Sequence, residues 1–181
     1  MGLGSQTRRK CFVSYHHDDE YEVGRFIEEF DHEQDVLIAR GIGANMSGDI
    51  INSTSDEYIR SKIRERYLRD TTVTIVLVGR CTWARRFVDW EIAASLRNTA
   101  TASRSGLMAI TLPSVAEYGS RKLPDRVSDN VNGVLGYGKW WKYPESSGSL
   151  ARMIETAYEA RFALADRVDN SRPLRASNAH C

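Results

Sequence analysis

The stretch VTIVLVGRCTWARRFVDWEIAASL, residues 73–96, decides the fold. It opens with the apolar run VTIVLV, rich in β-branched residues and ended by Gly79. Such a run reads as a strand buried on both faces, the kind found inside a parallel sheet. A helix follows, with Thr82 as its expected N-cap, because a hydroxyl there accepts from the free backbone N–H groups of the first turn. At about 100° per residue, Trp83, Phe87, Val88, Trp90, Ile92, Ala94 and Ser95 fall on one broad arc. Arg85, Arg86, Asp89 and Arg97 fall opposite. Glu91 lands near the middle of the apolar arc, one turn after Phe87 and two turns after Trp83. A carboxylate there is paired, protonated, reached by solvent or used in chemistry, because burying a charge without a partner is costly. Carboxyls with shifted pKa values are enriched at active sites, which makes Glu91 the first candidate functional residue.

Upstream, residues 1–9 are rich in Gly, Ser, Gln and Arg and read as a disordered N-terminus. KCFVSY, residues 10–15, is a short strand, and HHDD, residues 16–19, a polar loop at its carboxyl end. Residues 21–30 form a helix with Val23, Phe26, Ile27 and Phe30 on one face. Residues 34–39 form a second strand. RGIGANMSGD, residues 40–49, has three glycines and reads as a mobile loop. It lacks the GxxxxGK[ST] spacing of a phosphate-binding P-loop. Thr54 and Glu57 make a capping-box pattern for a helix running to about residue 69.

Downstream, GLMAITL, residues 106–112, is another buried strand. Residues 113–130 read as a long loop with two prolines and room for a short helix. Residues 131–135 read as a short last strand. GYGKWWKYP, residues 136–144, lines a pocket or covers a sheet edge. Residues 149–165 form a closing helix, and residues 166–181 lack periodicity and read as a tail. The domain is therefore residues 10–165.

Composition limits the function classes. The chain has 181 residues, 41% hydrophobic and 27% charged, ordinary for one soluble domain. Its formal net charge of +1 gives no field directed at nucleic acid or an acidic membrane. No apolar segment approaches the roughly 18 residues of a membrane span, and residues 1–10 have no apolar signal core. These features read as a cytoplasmic protein. Three cysteines, Cys11, Cys81 and Cys181, lie far apart without a CxxC pair, so neither a metal site nor a disulfide framework is expected.

Strands alternate with helices almost throughout. That pattern argues an α/β three-layer sandwich with a mainly parallel sheet of about five strands. The expected order is the flavodoxin-like 2-1-3-4-5, in which ligands bind beyond the strand carboxyl ends, at the switch between the first and third strands. This topology selects Ser14, Tyr15, His16 and His17 after the first strand, and residues 79–83 with the Glu91 helix after the third. Helix phase and sheet topology thus point to one crevice. A response-regulator receiver shares the fold but needs an acceptor Asp at the end of the third strand, where this chain has Val78-Gly79-Arg80.

The same residues carry a family likeness. FVSYHHDD at residues 12–19, followed by TIVLVGRCTWARRFVDWEI at residues 74–92, resembles the TIR-like proteins of the bacterial Thoeris anti-phage system, the ThsB group. The likeness spans roughly residues 10–112. It implies a TIR-like fold and chemistry on NAD: cleavage between nicotinamide and ribose, giving an ADP-ribose-derived signal, cyclic or conjugated to histidine, that activates a partner effector. NAD is then a substrate, and neither a cofactor nor a metal is implied. Glu91 matches the catalytic Glu of TIR enzymes, and Phe87 stands where they often carry Trp. Residues 40–49 take the place of their flexible loop after the second strand. The resemblance gives Ser14, Tyr15 and His16 to ribose or phosphate, and Phe87, with Thr82 and Trp83 nearby, to the apolar wall. Arg85 or Arg86 would meet the pyrophosphate. It also implies self-association, a phage-derived trigger and, as the alternative class, a non-enzymatic TIR-like scaffold or nucleotide-binding module.

Overall fold

A computed structural model describes residues 7–40, 46–100, 102–118 and 122–181. The middle of the expected mobile loop, residues 41–45, and most of the N-terminus, residues 1–6, lie outside the described residues. Five strands form one sheet: β1 (Arg9–Ser14), β2 (Leu37–Arg40), β3 (Val73–Val78), β4 (Gly106–Thr111) and β5 (Lys139–Trp141). Every pairing is parallel and the order is β2-β1-β3-β4-β5, the flavodoxin-like arrangement. β3 and β4 are buried at every position, as their continuous apolar runs require.

Strand alternation builds three layers. Cys11, Val13, Val73, Ile75, Leu77, Met108 and Ile110 point to one face. There they pack on α1 (Glu20–Ile27), which continues as a wider turn through Glu28–Glu33, and on α7 (Ser147–Ala163). Gly106 admits α7 closely, since a Cβ there would overlap the Ala157 carbonyl. The intervening residues face the other layer. It comprises α2 (Gly48–Ile51), α3 (Asp56–Arg66), α4 (Arg86–Ser95) and α6 (Asp125–Asn130). Phe12 meets Ile59, Ile63 and Trp90 there, and Val76 and Val78 meet Val88, Ile92 and Val127. Among the described residues, no helix is long and apolar enough to cross a membrane.

Several local expectations are corrected. The cap of α3 is Ser55, whose Oγ accepts from the Tyr58 N–H at 3.2 Å, one residue past Thr54. Ser55→Ala is expected to cost about 1 kcal/mol and Thr54→Ala almost nothing, by thermal melting. Thr82 does not cap α4: residues Thr82–Ala84 form a separate 3-10 turn, and α4 starts at Arg86 after the extended Arg85. The last strand is Lys139–Trp141, not residues 131–135, so the tryptophan-rich segment is the sheet edge itself. The proline-flanked loop holds two helices, α5 (Pro113–Tyr118) and α6.

The largest corrections concern residues 168–181. They form a strap along α4, from the turn before it to its last turn. Asn170 donates to the Ala93 carbonyl (3.0 Å), Trp90 Nε1 to the Arg175 carbonyl (2.8 Å), and the Ala179 N–H to the Ala84 carbonyl (2.9 Å). A disulfide joins Cys81 to Cys181 across a sequence separation of 100, where cysteine number and spacing gave no such expectation. Closing so long a loop restricts the unfolded chain. Oxidised wild type is therefore expected to exceed Cys181→Ser in stability by about 2–4 kcal/mol. Equal urea midpoints for reduced and oxidised protein would show that the bond contributes nothing. Asp89, expected on the solvent face of α4, is buried at 6% exposure against Arg126 of α6.

Candidate active site

Ser14 is the last residue of β1 and shares the alternation of Phe12, so it faces α4. Its Oγ donates to Glu91 Oε2 at 2.6 Å. This bond brings the carboxyl end of β1 and the middle of α4 to one point, at the switch between β1 and β3 where such a sheet binds its ligands. Burial pushes the Glu91 carboxyl up to about 7, and the Ser14 hydrogen bond only partly offsets that rise. A carboxyl titrating near neutrality can hold either charge state. It can therefore exchange a proton or, once ionised, oppose positive charge developing on a neighbour.

Phe87 lies one turn before Glu91 on α4, half-buried, its ring 5.4 Å edge-on from Trp90. Spacing of four residues keeps Phe87 and Glu91 on one face. His16 follows Ser14 by one strand repeat and is 2% exposed. Its Nδ1 accepts from the Asp18 N–H at 3.1 Å, which leaves the proton of the neutral ring on Nε2. Nε2 is buried, makes no hydrogen bond among the described residues, and lies 3.4 Å from Asp18 Oδ2. Burial holds the His16 pKa below its ordinary value, and the Arg85 charge lowers it further. The Arg85 charge is thus felt at His16, and its extended backbone lies outside the helix phase. Arg86 stacks its guanidinium over Phe87 at 4.9 Å and Trp90 at 5.3 Å.

Of the remaining sequence candidates, Thr82 sits in the turn beside Asp19, whereas Tyr15 and Trp83 point elsewhere. Thr82 is buried and closes the turn after β3, its Oγ1 accepting from the Gly79 N–H at 2.8 Å. Tyr15 has the opposite alternation from Ser14 and packs on the α1–α7 core. Trp83 precedes α4, so helical phase does not govern it. Its ring sits under Lys122 Nζ at 3.3 Å, and it lines a cavity with the C-terminal strap.

Asp19 is the crevice residue that sequence reasoning missed. Its carboxyl lies over Gly79, where any Cβ would overlap it, and 3.4 Å from Thr82 Oγ1. Burial raises it to about 6, with the Thr82 hydrogen bond opposing. The available signal was the glycine directly after β3, which leaves space for a side chain from the β1 loop. His16, His17 and Asp18 hold ligand atoms within 4.8 Å of one another, close enough to reach one metal ion. The donor set fits a metal poorly, because Asp18 N–H occupies the His16 Nδ1 lone pair and Nε2 carries the proton.

No curated protein matches the chain. Residues 12–117, more than half of the sequence, match the family described as Thoeris protein ThsB, TIR-like domain. That span contains the second half of β1, all of β2 to β4, and Ser14, Phe87 and Glu91. With the five-strand parallel sheet in 2-1-3-4-5 order, it shows that the chain belongs to the TIR-like ThsB family of Thoeris defence proteins.

Proposed function

We propose that this chain cleaves NAD at the bond between nicotinamide and ribose and makes an ADP-ribose-derived signal that activates a partner effector. The observation that carries the reading is the Ser14–Glu91 pair, a carboxyl near neutral pKa at the β1–β3 switch of a TIR-like domain. When nicotinamide departs, the electron pair of the C1′–N bond leaves with the ring nitrogen. The ribose C1′ becomes oxocarbenium-like, the same charge type that glycosidases oppose with carboxylates. Glu91 is partly shielded from water, where such opposition is stronger than in bulk solvent. Ser14 fixes the rotamer of Glu91, and the Phe87 ring supplies a flat apolar wall one helical turn away. Arg85 and the Nε2–H of His16 are the donors suited to phosphate or ribose oxygens.

The nucleophile that adds to C1′ decides the product. Water gives ADP-ribose and releases a proton. A hydroxyl or ring nitrogen of the same molecule gives a cycle, and an imidazole from histidine gives a conjugate. The test is to incubate the protein with NAD, alone and in lysate from phage-infected cells, and to identify products by chromatography with mass detection. Nicotinamide with an ADP-ribose isomer or conjugate supports the reading. Intact NAD in both settings, from folded protein, favours a scaffold that binds without cleaving.

A further inference from the structure

At the opposite end of the sheet lies a second cavity of about 660 Å³. It opens between α3, residues 70–72 leading into β3, the segment after α4 and the last turn of α7. Four arginines line it: Arg64, Arg69, Arg97 and Arg161. The lining carboxylates are Glu65 and Asp70, and Glu65 is already held by Lys62 at 2.7 Å. Positive charge is thus in excess at this one place, although the whole chain is close to neutral.

The role of Arg64 is partly structural. Its NH1 donates to the Ser95 carbonyl at 3.2 Å, and its NH2 to the Ser103 carbonyl. Those contacts satisfy backbone groups but supply no counter-charge. Its Nε is buried and makes no hydrogen bond among the described residues. Burial holds the Arg64 guanidinium below its ordinary pKa, and the charges of Arg161 and Arg97 lower it further. Arg97 and Arg161 therefore each repel Arg64 across the cavity. Arg161 uses Nε on the Arg104 carbonyl at 2.8 Å, and Arg97 reaches Glu57 at 2.5 Å. A guanidinium has five N–H donors in a planar fork that matches phosphate oxygens, so each retains donors for a ligand.

We propose that this cavity is a second ligand site, separate from the Glu91 crevice, that binds an oligophosphate anion such as the phosphate chain of a nucleotide. Its volume lies in the range of small-molecule sites and far exceeds one phosphate group. Its arginines come from three separate elements, which suits a ligand carrying several linked charges. Binding removes the repulsion among the arginines and ties α3, α4 and α7 together.

The experiment is calorimetric titration of the full chain with inorganic triphosphate and with ATP. Wild type, Arg69→Gln/Arg161→Gln and Glu91→Gln are compared. Binding is expected in wild type and in Glu91→Gln, with affinity at least about tenfold weaker in the double variant. Equal affinity for the two ligands assigns recognition to the phosphates, and tighter ATP adds a nucleoside contact. Arg69→Gln alone, at an exposed position beyond the end of α3, provides the same reading if the double variant does not fold. No heat in wild type overturns the proposal. So does binding of undiminished affinity in the folded arginine variants, which would place the anion outside this cavity.

Discussion

Arg126→Ala is expected to lower stability by about 3–5 kcal/mol. The Arg126 side chain is fully buried and that of Asp89 is 8% exposed. Their contact is a two-armed one, Nε to Oδ1 at 2.9 Å and NH2 to Oδ2 at 3.3 Å. Arg126 also donates to Asn170 Oδ1 (2.8 Å) and the Pro173 carbonyl (3.1 Å), and Asp89 accepts from the Arg175 N–H (2.9 Å). One ion pair therefore joins α4, α6 and the C-terminal strap. Removing the arginine leaves a buried carboxylate with a single backbone donor, and that residual charge accounts for most of the cost. Exchanging both partners, Asp89→Leu with Arg126→Met, is expected to recover much of the loss, because no charge is then stranded. Urea denaturation of the two variants checks this. A loss below about 1 kcal/mol for Arg126→Ala would mean that water reaches the pair and that the strap is not anchored there.

The second expectation concerns activity. Glu91→Gln should reduce nicotinamide release from NAD by at least about 100-fold, the scale of removing one preorganised electrostatic contact to a developing charge. Because Glu91 titrates near 7, wild-type rates should rise with pH and level off above about 7, as the carboxylate form accumulates. Ser14→Ala removes the hydrogen bond that lowers this pKa, so its rising limb should move to higher pH. The sign on stability is the reverse. The folded value of Glu91 is raised above its ordinary 4.5, so its contribution to the fold is complete below that pH and is lost as pH rises through about 7. The glutamine variant mimics the protonated form. It should melt no lower than wild type at pH 8, which separates lost chemistry from lost structure.

These two sites differ in how far the sequence revealed them. Glu91 was legible because α4 is regular from Arg86 onward, so Phe87 and Glu91 obey the helical period that the residue types suggest. The same period misplaced Trp83, because the 3-10 turn and the extended Arg85 interrupt it. It also assigned Asp89 to solvent, because its partner Arg126 lies 37 residues away and polar residues do not announce such pairings. β3 and β4 were legible as apolar runs, and their burial on both faces forces a parallel sheet. β5, with three residues, is too short to show alternation, so residues 131–135 competed with it. The strap is held by backbone carbonyls, Asn and Arg side chains and a disulfide, none of which has a periodic signature. Asp19 was hidden for the same reason: its place depends on the absent side chain of Gly79.

The most direct measurement is nicotinamide release from NAD by wild type and Glu91→Gln side by side, from about pH 5.5 to 8.5, a range that brackets the Glu91 titration, using purified protein and lysate from phage-infected cells. The expected result is release that rises toward neutral pH and is nearly absent in the folded glutamine variant, accompanied by a new ADP-ribose isomer or conjugate. Equal release by folded Glu91→Gln, or none from folded wild type in either setting, would contradict the assignment of Glu91 as the residue that carries NAD cleavage.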